Sequence, residues 1–169
     1  MARIADTRDD FGSGMLERIG VLEMRTGIKL GTLQKILLAE TGTVEQLLSV
    51  LVGSRIKVNV TKQFEIRGVI ARESVITNDS GDLLIRARSR IFTHNLPMKV
   101  ISRIRSKREG IGTIIQSSRI ETFRKILEIG YDSRTRRVFR KYQIVHKKKV
   151  AFEIREEFAF DTKGGPGGI

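Results

Sequence analysis

Cysteine is absent from the 169 residues, so no disulfide framework, thiolate metal site or cysteine nucleophile can be built from this chain. Only two histidines occur. His94 and His146 have no metal-ligating companion at close spacing, and each reads as a surface or turn residue. Aromatic residues make up 6% of the chain, too few for the base-stacking surface of a single-strand nucleic-acid binder. No apolar run reaches about 18 residues, and the start MARIADTRDD is charged, so neither a membrane-spanning helix nor a secretory signal is expected. The expected setting is cytoplasmic. A Walker lysine motif, a nucleophile elbow and a zinc signature are also lacking.

Positive charge is what the chain has in excess: 32 Lys and Arg against 19 Asp and Glu give a formal net charge of +13. A basic surface attracts nucleic acid, anionic membranes and anionic small molecules alike. The dense runs from Arg103 to Arg108 and from Arg134 to Lys149 overlie no groove-reading motif. Nucleic acid is therefore not an expected partner despite the charge, nor is a membrane. A small anion remains.

The length suits one domain with a substantial core. Residues 1–15 show no clear periodicity and 161–169 are Gly-rich, so both ends are expected to be mobile around a single domain over 16–160. Leu30, Leu33, Ile36 and Leu37, then Val44, Leu47, Leu48 and Leu51, recur at helical spacing on either side of Gly42. Thr43 and Gln46 have the form of a capping box for the second helix. The segments RIKVNVTKQ, GVIARESVIT and DLLIRARSRIF read as strands, the last two joined by the turn NDSG. Asn95 and Pro97 suggest a helix opening. Ser118 with Glu121 resembles a second capping box, before a helix faced by Ile120, Phe123, Ile126 and Leu127. RVFRKYQIV and VAFEIREEFAF flank HKKK as a closing hairpin. No internal repeat is apparent. The order implies an α+β fold with a mostly antiparallel sheet of five or six strands and helices on one face.

Two charges fall on apolar faces of these strands. In VAFEIREEFAF, alternation puts Glu156 in line with Val150, Phe152, Ile154, Phe158 and Phe160. A buried carboxylate without a donor costs several kcal/mol, so a partner is expected nearby. Arg72, in line with Ile70, Ser74 and Ile76, is the candidate. The two could form a buried ion pair, or Glu156 could lie at a sheet edge in water. Alternatively they line a closed cavity in which the arginine fork receives a carboxylate and the glutamate a hydroxyl. Gly110 and Gly112 around Ile111, and Gly42 before a helix, allow close backbone approach to such an anion.

These segments together, LQKILLAETGTVEQLL, ARESVI, RARSRI, GIGTII, ILEIG and EEF, resemble the chorismate pyruvate-lyase superfamily, in particular its short archaeal and mycobacterial-type branch, formerly a domain of unknown function. The resemblance runs from Leu30 to Phe160. It implies a six-stranded antiparallel sheet, helices on one face, and a buried ligand cavity under helical flaps. It further implies cleavage of chorismate to 4-hydroxybenzoate and pyruvate without metal or cofactor. The family's carboxylate-binding arginine falls on Arg72 and its hydroxyl-accepting glutamate on Glu156, with backbone N–H contacts on Gly42 and Ile111. GIGTII departs from the Pro-Leu-Gly-Arg pattern of the better-known bacterial enzymes, and Gly42 replaces a bulkier residue. The alternative within the same fold is a non-catalytic domain that binds a small effector.

Overall fold

A computed structural model describes residues 11 to 160, and the expectations for residues 1–10 and 161–169 lie outside that range. Three helices come first: α1 (Phe11–Thr26), α2 (Thr32–Ala39) and α3 (Val44–Val52). Strands β1 (Ile56–Ile66), β2 (Val69–Asn78) and β3 (Leu83–Phe92) follow, then α4 (Met98–Arg105) and α5 (Ile111–Ser117). The described chain closes with β4 (Phe123–Asp132), β5 (Arg137–His146) and β6 (Lys149–Phe158). The six strands form one sheet in the order β1-β2-β3-β6-β5-β4, and every neighbouring pair is antiparallel. The fold is α+β.

Two helices followed by a three-strand meander occur twice, as α2-α3-β1-β2-β3 and as α4-α5-β4-β5-β6. The meanders join through β3 and β6, so the strand order reads the same from either edge after exchanging the halves. This repeat of topology corrects the sequence reading, which found none. The second correction concerns IETFRKILEIG, expected as a helix and present as strand β4. A bulge between Ile126 and Glu128 breaks the two-residue alternation. Ile126 and Ile129 both pack toward the core, three residues apart, and that spacing imitates a helix. α1 begins at Phe11, inside the stretch expected to lack order. Met15, Ile19 and Leu22 give it an apolar stripe that packs into the core.

All helices whose residues enter the core pack on one face of the sheet, in two clusters. One joins Ile19, Leu37, Leu38 and Leu48 from α1–α3 to Ile76, Ile85, Val138 and Phe158. The other joins Val100, Ile104, Ile114 and Ile115 from α4 and α5 to Ile70, Ile91, Tyr142, Phe152 and Ile154. The opposite face shows exposed Glu73, Arg86, Arg88, Arg90 and Lys141, the alternation of a sheet solvated on one side. Three buried charges separate the clusters: Arg72 lies between Ile70 and Ile76 on β2, Arg140 between Val138 and Tyr142 on β5, and Glu156 between Ile154 and Phe158 on β6.

Candidate functional site

The inward row on β6 places Glu156 where alternation predicts, with 4% of its surface exposed. Its partner is not Arg72. Register sets Arg140 of β5 directly opposite it, and Arg140 Nε donates to Glu156 Oε2 at 2.8 Å, with Nη2 also 2.8 Å from that oxygen. The Tyr142 hydroxyl donates to the other oxygen, Oε1, at 2.8 Å. Both oxygens of the carboxylate are therefore engaged from β5. Arg140 also reaches the first pair of flanking helices, donating to the carbonyls of Leu37 at 2.9 Å and of Glu40. Its guanidinium lies 4.9 Å from the centre of the Tyr142 ring and 5.5 Å from that of Phe158, within cation–π range.

The electrostatics follow from this packing. Burial works against the Arg140 charge, and the Glu156 carboxylate, with Tyr142 and Glu40, more than offsets it, so the net shift of its pKa is upward. Tyr142 is pushed well above the ordinary tyrosine value, first by burial and then by the adjacent Glu156 charge. Its hydroxyl thus stays a donor at neutral pH. Arg140 could have been found in the sequence. In RVFRKYQIV it alternates with Val138, Tyr142 and Ile144, the same signal of a charge in an apolar row that singled out Glu156.

Arg72 sits across the same polar row, 2% exposed. One nitrogen, Nη2, donates to the Glu109 carbonyl in the connection between α4 and α5. Its Nε and Nη1 are buried with no partner. A guanidinium left with two unpaired buried nitrogens is costly to the folded protein, and burial lowers its pKa, with the Glu45 carboxylate acting in the opposite sense. Arg72, Ile111, Tyr142 and Glu156 line one cavity beneath the two helix pairs, with Arg124 of β4 and Glu45 of α3 completing its polar wall. The free volume is about 40 Å³. Ligand pockets for drug-sized molecules run from about 300 Å³ upward, so a ring-sized ligand requires the covering helices to part.

The two backbone positions differ. Ile111 opens α5 and lines the cavity. Gly42 is exposed, outside the lining, and its amide donates to the Glu40 carboxylate. The capping box expected at α3 is not formed. Thr43 is the N-cap without a side-chain bond, and Glu45 turns away to α5, accepting from the Gly112 amide at 3.1 Å and the Thr113 hydroxyl at 2.5 Å. Gly110 and Gly112 serve that contact. A Cβ on Gly110 would lie 2.2 Å from a Glu45 carboxylate oxygen, and one on Gly112 would lie 3.0 Å from it. Among the described residues no cluster of three or more His, Cys, Asp and Glu is placed to hold a metal, and no helix is long and apolar enough to cross a membrane.

No family model matches the chain. Curated proteins do. Over an alignment of 161 residues it is 25% identical to proteins named chorismate pyruvate-lyase from two strains of Mycobacterium tuberculosis and one of Mycobacterium bovis. The alignment covers 77% of this chain and 81% of each relative. The chain is similar to chorismate pyruvate-lyases. The matched share is large enough to take in both halves of the sheet rather than one motif.

Proposed function

We propose that this chain is a chorismate pyruvate-lyase, or a close relative acting on a similar small cyclic carboxylate, and that it works without metal or cofactor. The observation that carries the reading is the pair of unpartnered, buried Arg72 nitrogens in the cavity that also holds Glu156. Either nitrogen, paired with the second hydrogen of Nη2, offers a carboxylate two parallel N–H groups, and the similarity to the mycobacterial enzymes supplies the ring acid. Arg72 receives the ring carboxylate. Glu156 accepts from the ring hydroxyl, with Tyr142 yielding or sharing Oε1. The Ile111 amide adds a backbone donor, and Gly42 does so once ligand displaces the Glu40 carboxylate.

Elimination breaks the ether C–O bond between ring and enolpyruvyl group. The ring loses a hydrogen as a proton and becomes aromatic, and the departing enol takes up a proton to become pyruvate. The driving force lies in the substrate, so the protein orients the ring and stabilises the charges rather than supplying a nucleophile.

A second reading, a domain that binds a small effector without chemistry, is favoured by one feature: both Glu156 oxygens already have donors. Incubation with chorismate in the absence of metal separates the two, with products resolved against an enzyme-free control. The lyase gives 4-hydroxybenzoate and pyruvate in equal amounts. Arg72→Ala should abolish capture of chorismate, and Glu156→Gln should lower turnover at least tenfold while keeping the fold. Binding without product selects the effector domain, and full activity in both variants removes the site assignment.

A further inference from the structure

We infer that Arg124 is the receptor for a second carboxylate, so that the site selects ring compounds carrying two carboxylates over those carrying one. The inference rests on the reading above and extends it to a residue that neither sequence pattern nor resemblance singled out.

Arg124 and Arg72 share an unusual condition. Among the described residues, the buried side-chain donors without a partner are Arg72 Nε, Arg72 Nη1 and Arg124 Nε, all on these two arginines. An unsatisfied buried donor is destabilising and calls for an occupant. One carboxylate engages Arg72 along a single edge of its guanidinium, and it does not account for the unpaired donor of Arg124, which comes from a different strand.

The topology sets the two arginines apart. In the order β1-β2-β3-β6-β5-β4, Arg72 lies on β2, two strands to one side of β6, and Arg124 on β4, two strands to the other. At a strand spacing of about 4.8 Å, their backbones stand on the order of 19 Å apart along the sheet, yet both side chains line the same cavity. The strand of Glu156, β6, lies midway between theirs, while the register levels Arg72 with Ile154 and Arg124 with Phe152, so Glu156 is offset from both along the strands. The wall therefore presents two cations separated across the sheet with a hydroxyl acceptor to one side of the line joining them, which fits a dianion whose hydroxyl projects beside its charged ends.

Arg124 also has a tether. Its Nη1 donates to the Thr41 carbonyl at 3.2 Å, one residue before Gly42 in the connection between α2 and α3. A carboxylate that engages Nε would be held by a guanidinium already braced against the covering helices, which lowers the cost of ordering it.

The test compares a dianion with a monoanion. Chorismate capture is read as kcat/KM, or as Kd by calorimetry where no turnover occurs; 4-hydroxybenzoate binding is read as Kd by calorimetry. The variant is Arg124→Gln, which removes the charge and ends two bonds short of the nitrogen that donates to Thr41, so a loss of loop support would weaken both probes alike. We expect chorismate capture to fall about tenfold or more, as for a lost charged partner in a desolvated site, while 4-hydroxybenzoate affinity changes less than about twofold. Arg72→Ala, by contrast, should weaken both. Unchanged chorismate capture, or equal losses for the two probes, would overturn the inference, the second outcome placing Arg124 in the support of the Thr41 loop alone. Wild-type protein that binds both probes without releasing pyruvate would end the lyase reading, and the ratio of the two losses would still decide Arg124. Binding of neither probe would overturn both.

Discussion

Arg72 and Arg140 are each the fourth residue of the middle strand of a meander, and each guanidinium donates to the carbonyl of a glutamate in a helix-to-helix connection, Glu109 for one and Glu40 for the other. What differs is the residue opposite. Arg140 faces Glu156, whereas Arg72 faces Ser89, whose short side chain brings no carboxylate. The internal ion pair of the second half thus shows what the first half leaves open. Replacing Ser89 with glutamate should fill Arg72 from within, as Glu156 fills Arg140. Ser89→Glu is expected to retain the circular-dichroism spectrum of the wild type and to lower affinity for 4-hydroxybenzoate by about tenfold or more. Unchanged affinity would mean that Arg72 is not the carboxylate receptor.

The side-chain hydrogen bonds between the covering helices α3 and α5 run through Glu45. Because Gly110 has an ordinary backbone conformation, φ −70°, a methyl group there is resisted by the Glu45 carboxylate and not by backbone strain. Gly110→Ala and Glu45→Ala should each cost about 1–2 kcal/mol through loss of the same hydrogen bonds, and the double variant should cost no more than either alone. Urea denaturation of the four proteins measures this. Additive losses would show that Gly110 and Glu45 act separately. At this scale the sequence is legible where period and burial agree. The inward rows of β2 and β6 gave Arg72 and Glu156 because the two-residue period holds from Ile70 to Ile76 and from Phe152 to Phe158, with buried apolar residues at both ends of each row. β4 was not legible, because its bulge at Ile126 and Glu128 replaces a period of two with a step of three. α1 was hidden by Gly12, Gly14 and Gly20, each unfavourable in a helix interior by about 1 kcal/mol; packing overrides that, and Arg18 Nη1 reaches the Ile126 carbonyl at 3.3 Å. The repeat escaped notice because it is one of topology: the residues opposite Arg72 and Arg140 already differ.

For the molecule as a whole, the excess of positive charge works against compactness and toward anions. Most ion pairs on the described surface are solvent-exposed, such as Arg90 with Glu153 and Lys141 with Glu128, and such pairs contribute about 0–1 kcal/mol each. The buried Arg140–Glu156 pair is shielded from added salt. A net charge of +13 therefore leaves self-repulsion as the main salt-sensitive contribution to stability. Raising ionic strength from about 0.01 M to about 0.1 M shortens the screening length from about 30 Å to about 10 Å, which removes repulsion across the molecule and leaves contacts within a few ångströms less affected. The melting temperature should accordingly rise with sodium chloride over that range, by a few degrees. An anion entering the site would raise it as well, by mass action, so the same scan on Arg72→Ala distinguishes the causes. A rise of equal size in both proteins identifies screening; a rise confined to the wild type identifies occupation of the Arg72 site by chloride. A fall in both would mean that the exposed ion pairs outweigh the repulsion of the net positive charge.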